Sequence, residues 1–321
     1  MDSDMTLAME KTSKAGGKRL LGWILLITMG SIVAGSLLAP FLFNGLVKLG
    51  QTDPRFAGLR DLEFDSVTSR CVLVVLLIGV AAMLKISGMM SREELGFKND
   101  PRALKRILWG FLIGCLTLVC VYAAGWMAGV YSGRIVWKFN AITRLFHYLV
   151  GALVVGLIEE TVCRGVIFGL FKRSVGLWMG AVLSSLLFAL VHFARPAAPV
   201  GTVYGHWNSG LGLMGHLFGG VGWTPHFFPM VLTLFVMGMI LCVFYDRYGN
   251  LYFIIGLHAG WVWVMRSGVL FFDNRKGAAL RYLFGSCEEV VKGYVVLSAS
   301  LLLLAVALYS WSRAKRIGAS A

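Results

Sequence analysis

Three charged side chains stand together in the stretch LIEETVCRGVIFGLF, Leu157 to Phe171. They are Glu159, Glu160 and Arg164, and the surrounding residues are apolar enough to cross a bilayer. Each such charge at a bilayer centre costs about 2.5–3.5 kcal/mol on insertion scales. On a helix, Glu160 and Arg164 are four apart and share a face. Glu159 is rotated from Glu160 by about 100°. An apolar setting disfavours an ionised carboxylate, and a nearby guanidinium favours it. Two adjacent carboxylates beside one arginine are therefore a candidate acid/base pair for proton transfer. A purely structural ion pair accounts for one Glu and the Arg, and leaves the second Glu without a partner.

Two histidines lie in other apolar runs. His192 ends LLFALVH, and His258 lies inside IIGLHAGWVWVM. A single histidine on an apolar helix is commonly a hydrogen-bonded core residue. Two of them in a chain with an intramembrane Glu-Glu pair suggest a site. His192, His258 and Glu159 or Glu160 could hold a divalent metal such as zinc. They could equally orient a water with no metal.

The elements that must position these groups are read from length and apolarity. Hydrophobic residues make up 58% of the 321, and charged residues 14%; an ordinary soluble domain is about 25% charged. Mean hydropathy is +0.75. About 20 apolar residues span a bilayer as a helix. Such runs occupy roughly 20–43, 67–86, 107–131, 145–171, 177–195, 227–245, 251–272 and 293–311. The expected fold is all-α, a polytopic transmembrane helix bundle of about eight spans. Gly165/Gly169, Gly176/Gly180 and Gly256/Gly260 have the GxxxG spacing that lets membrane helices approach closely. The segment 196–226 is rich in Gly, Pro and aromatics, and is expected as a re-entrant or interfacial cap. Its His206, His216 and His226 match no standard metal spacing and read as loop residues.

The net charge of +14 comes mostly from short loops and tails. That distribution fits topology control and anionic lipid, and no basic segment is long enough to form a nucleic-acid module. The six cysteines include no CxxC pair and read as small apolar residues. The first apolar run is longer than a signal-peptide core and reads as a retained span.

EETVCR (Glu159 to Arg164), FALVH (Phe188 to His192) and His258, in that order on separate runs, resemble the CPBP intramembrane proteases. That family comprises the type II CAAX prenyl endopeptidases and the bacterial Abi proteins, with the pattern EExxxR, FxxxH, then HxxxN or HxxxD. The resemblance covers about residues 145–272, with a weaker echo in SREELGF, Ser91 to Phe97. It implies an intramembrane endopeptidase in which a motif glutamate, Glu159, activates water. Glu160 and Arg164 would support it, and His192 and His258 would complete the site. The substrate implied is a membrane, lipidated or tagged protein. One position departs: Val262 stands where the family has Asn or Asp, and Val can neither donate nor accept a hydrogen bond. On this reading residues 1–19 form a cytoplasmic tail, 20–311 the membrane domain with its protease-like core at about 145–272, and 312–321 a C-terminal tail. Two other readings fit the same charges. One is a proton-coupled transporter, and the other a non-catalytic membrane scaffold on the same fold.

Lys and Arg are more numerous in the tails and in the loops on their side than in the opposite loops, so both termini are expected in the cytoplasm, of a bacterial inner membrane. A reporter fused after Ala321 should therefore give a cytoplasmic signal. An extracytoplasmic signal would reverse the orientation.

Overall fold

The computed structural model describes residues 2–86, 91–134, 139–194, 196, 206–219 and 227–319. Most of the expected cap, including His226, lies outside them. Among the described residues, seven helices are long and apolar enough to cross a membrane. They are α1 (Asp2–Thr52), α2 (Phe64–Ile86), α3 (Ala103–Met127), the run from α4 (Phe139–Glu160) through α5 (Gly169–Val175), α8 (Phe227–Tyr248), α9 (Tyr252–Phe271) and α11 (Tyr294–Ala319). Between α5 and α8 come α6 (Leu177–Val191) and the short α7 (Ser209–Met214); α10 (Arg281–Phe284) precedes α11. The all-α polytopic bundle is as expected.

The run read as a span over 177–195 differs. Its helix α6 has 15 residues, about 22 Å at 1.5 Å per residue, short of the hydrocarbon thickness of about 30 Å. It ends at Val191, and His192 and Phe193 form a turn a few residues before Pro196. Proline cannot continue a helix, and it disfavours helical backbone in the residue before it. At the other end of the chain, residues 2–19 continue the helix of the first span as part of α1.

The chain divides into two compact units. The first is residues 1–90 with 191–222, and the second is 91–190 with 223–321. In the first, α1 and α2 pack as a hairpin around Ala39, Phe64, Val67, Cys71 and Leu213. The turn between them is a 3-10 segment, Pro54–Asp61. Asp53 caps it by accepting from the Arg55 backbone N–H at 2.9 Å. The Arg55 guanidinium beside Asp53 also holds that carboxyl below its ordinary pKa.

In the second unit α9 is the central helix: 78% of its span is buried, against 28% for α3. One face of α9 presses on α3. A Cβ on Gly256 would overlap the Ile107 carbonyl, and one on Gly260 would lie 2.9 Å from the Cys115 N. The approach is reciprocal, since Cβ atoms on Gly110 and Gly114 would overlap the Phe253 and Leu257 carbonyls. Another face of α9 packs on α4, and α11 packs on α8. Leu118, Val121, Ile240, Leu241, Ile254 and Leu257 fill the core between them. Two three-residue strands, β1 (Tyr131–Gly133) and β2 (Phe272–Asn274), pair antiparallel just past α3 and α9, with Ser132 opposite Asp273. Tyr131, the first residue of β1, is buried and donates to the Phe284 carbonyl at 3.0 Å. That burial pushes its phenol pKa up.

The α3–α9 contact predicts that Gly256→Val destabilises the protein by about 1–3 kcal/mol or more, as overpacking does. Gly169→Ala is the control, because its nearest neighbour is 3.9 Å from the added carbon. It should leave the melting temperature in detergent unchanged or slightly raised. An unaffected Gly256→Val would mean that the helices do not need this approach.

Candidate active site

The expected α-helix through LIEETVCRGVIFGLF is interrupted. Directly after Glu160 the backbone widens into a π-helical segment, Thr161–Phe168, before α5 resumes. Such segments are rare and frequent at functional sites. Two side-chain bonds support it. Thr161 Oγ1 donates back to the Leu157 carbonyl at 2.6 Å, a contact that tends to bend helices. From α6, Ser184 Oγ donates to the Cys163 carbonyl at 3.3 Å.

Glu160 and Arg164 are both fully buried, and Arg164 Nη1 donates to Glu160 Oε1 at 2.9 Å. Arg164 Nη2 donates to the Gly238 carbonyl of α8 at 3.4 Å. Its guanidinium carbon lies 4.4 Å from the centroid of the Phe188 ring of α6, a cation–π distance. Glu160 Oε1 also meets His258 Nδ1 of α9 at 2.6 Å. A carboxylate only accepts, so Nδ1 carries the proton and, in neutral His258, Nε2 keeps a lone pair. The Phe188 ring stands edge-on to the imidazole, with centroids 6.0 Å apart.

The free Nε2 faces Glu159, 3.8 Å from Oε2. That is too long for a direct hydrogen bond and suits a group held between the two. The Glu159 side chain is 38% exposed, whereas that of Glu160 is at 0%. Adjacent glutamates thus have different settings, one dry and doubly partnered, the other open at its tip.

The structure therefore brings Glu159, Glu160, Arg164 and His258 together within the second unit. His192 stands half-buried in the turn after α6, grouped with the first unit and with contacts of its own. Val262 is half-buried one turn beyond His258 on α9. Among the described residues, no group of three or more His, Cys, Asp or Glu side chains is spaced to hold a metal. Glu160 Oε1 is already shared by Arg164 and His258 Nδ1. The contacts of the Phe188 ring, the Ser184 hydroxyl and the Gly238 backbone carbonyl have no sequence signal beyond the spacing of Phe188 to His192.

The buried pair predicts a stability effect. Arg164→Ala leaves the Glu160 carboxylate buried without its cation, a change that costs about 3–5 kcal/mol. The melting temperature should fall steeply. Glu160→Gln combined with Arg164→Met, which removes both charges, should melt above Arg164→Ala. The reverse order would show that the pair is not coupled.

Residues 141–264 match the family model described as type II CAAX prenyl endopeptidase Rce1-like. No curated protein and no solved structure matches the chain. The matched stretch contains Glu159, Glu160, Arg164, His192, His258 and Val262, and in the structure it covers most of the run from α4 to α9. This match supports the CPBP intramembrane proteases as the family that residues 141–264 resemble, and the segment carries that family's EExxxR and FxxxH motifs.

Proposed function

We propose that the protein is an intramembrane endopeptidase that hydrolyses a peptide bond of a membrane-associated protein with water activated by Glu159. The observation that carries this reading is the facing pair of Glu159 Oε2 and His258 Nε2 at 3.8 Å. A water between them donates one O–H to the Nε2 lone pair, which aims the oxygen. Glu159 takes the other proton as the oxygen adds to the substrate carbonyl. The Glu159 carboxyl then gives that proton to the leaving amide nitrogen as the C–N bond breaks. Water has been added across the bond and Glu159 is again a carboxylate. Glu160 fixes the tautomer and direction of His258, as the third member of a catalytic group does, and Arg164 holds Glu160.

The developing oxyanion needs a donor. The family's FxxxH motif implies that His192 takes part in the reaction. Val262 supplies no donor. Loss of one such donor costs about 2.7–4 kcal/mol of transition-state stabilisation in other enzymes. Val262 is therefore the observation that favours the second reading, a catalytically silent scaffold on the same fold.

Turnover separates the two readings. The purified protein, in detergent and in liposomes, is given a farnesylated peptide ending in a CAAX box or a membrane-anchored reporter, and products are identified by mass. Glu159→Gln is nearly isosteric but cannot take a proton. It should lower turnover by about 10²–10⁴-fold with an unchanged melting temperature. Val262→Asn should preserve or raise the rate. Full activity of Glu159→Gln would move the base role to Glu160, and no product from the wild type with either substrate would favour the scaffold.

A further inference from the structure

Arg266 stands one residue past IIGLHAGWVWVM, the apolar stretch that contains His258. It lies within the α9 span and is exposed. Among the described residues it has no ion-pair or hydrogen-bond partner. A charge in a span is costly to insert and marks a functional position by default. The ordinary alternative is an arginine that snorkels to the nearer headgroups.

Its placement argues for a role at the site. Ile255, Ala259, Val262 and Arg266 recur at helical spacing and form one stripe of α9. The lower end of that stripe packs on α4, where a Cβ on Gly156 would lie 3.0 Å from the Ile255 carbonyl and 3.3 Å from the Ala259 N. Two turns on, Arg266 Nη1 lies 3.6 Å from the position of a Cβ on Gly151 of α4. The guanidinium therefore rests along α4. Helix side chains tilt toward the N-terminus, so Arg266 leans toward His258 and away from the nearer helix end at Phe271. On α4, Gly151 is about 80° of rotation from Glu159. Tyr148, Gly151, Val155 and Glu159 share one flank, and all four are half-buried, unlike the exposed Val150, Val154 and Ile158. Glu159 and the Arg266 guanidinium thus mark two points on one partly open flank of the α4–α9 seam.

The geometry points to Arg266 as an anion subsite of the proposed protease: its guanidinium takes a carboxylate of the bound peptide. Gly151 and Glu159 are separated by about 12 Å along the helix. An extended peptide advances about 3.3 Å per residue, so the carboxylate lies three to four residues from the scissile bond. Arginine can bind a carboxylate through two parallel hydrogen bonds and stays charged whatever its setting. The carboxylate could be the free C-terminus of a substrate cut close to its end, or an acidic side chain at that distance. This inference rests on the protease reading, because the subsite is defined by its distance from Glu159.

Binding tests the subsite apart from turnover. Three farnesylated CAAX peptides of otherwise identical sequence are used: one with a free C-terminus, one with a C-terminal amide, and one amidated with Glu at the last position. Affinity is measured in nanodiscs for the Glu159→Gln protein, with and without Arg266→Gln or Arg266→Lys, and turnover for the corresponding proteins with Glu159 intact. The free acid should bind at least tenfold more tightly than the amide. Arg266→Gln should bring that ratio to one, Arg266→Lys should keep part of it, and melting temperatures should stay equal. Rescue of the amide by Glu would assign the subsite to side chains as well as C-termini. Equal binding of acid and amide, or a ratio that survives Arg266→Gln, would falsify the subsite and leave the protease reading standing. A ratio that depends on Arg266, with no product from the protein that retains Glu159, would instead remove the protease reading and keep the anion site.

Discussion

A carboxylate with no exposed surface in the middle of a membrane protein must be paired, and that requirement organises the site. Glu160 is paired twice through one oxygen, by Arg164 and by His258. Arg164 then has its own demands. Its guanidinium reaches the Gly238 carbonyl on α8 and lies over Phe188 on α6. The Glu160–Arg164 pair therefore connects the π segment to α6, α8 and α9. The contact with α8 also depends on close packing: a Cβ on Gly238 would lie 2.8 Å from Ser185 Cβ. Removing one charge would leave the other buried without its counter-charge, which is more costly than removing both.

The same constraint divides labour between two neighbouring glutamates. A rotation of about 100° separates them on the helix, and it decides their chemistry. Glu160 turns inward, where every interaction it makes is with the protein. Glu159 turns to the open flank, where its carboxylate can meet something from outside. His258 is the link, with one nitrogen committed to Glu160 and the other aimed at Glu159. In the proposed mechanism the open Glu159 is the base, which has to reach water and substrate, and the buried Glu160 is the positioning carboxylate, which has to be immobile.

Much of this was legible in the sequence because bilayer physics writes long signals. Runs of about 20 apolar residues located seven spanning helices, and the spacing of Glu160 and Arg164 announced their pairing. Features that depend on one or two residues left weaker traces. The π segment keeps the apolar composition of an α-helix, so nothing in TVCRGVIF separates the two. Strands of three residues, such as Tyr131–Gly133, are too short to show alternation. The apolar run extends four residues beyond the end of α6 at Val191, because hydropathy does not register the turn that Pro196 helps to set. Of the three glycine pairs, Gly256/Gly260 does pack on α3, whereas Gly176 sits at φ +86° in the turn after α5, where glycine is needed for its backbone. The pair facing Gly256/Gly260, Gly110 and Gly114, has the same spacing.

The sequence GLHAG, Gly256 to Gly260, shows how one helix carries both packing and chemistry. Gly256 and Gly260 differ by about 40° on the helix, so they form one face, and His258 lies about 200° from Gly256. Pressing the two glycines onto α3 therefore drives the imidazole to the opposite side, toward α4 and Glu160. The backbone contact leaves α9 little freedom to rotate, because both helices lack a side chain to act as a roller. The direction of His258 is set twice, by the glycines behind it and by Glu160 in front. Val262 falls about 40° from His258 on that forward side. Its methyl groups add apolar surface where the family pattern has a polar group. Aiming of the histidine is thus independent of the residue at 262, and in the proposed mechanism any consequence of the valine falls on charge stabilisation rather than on the placing of the water.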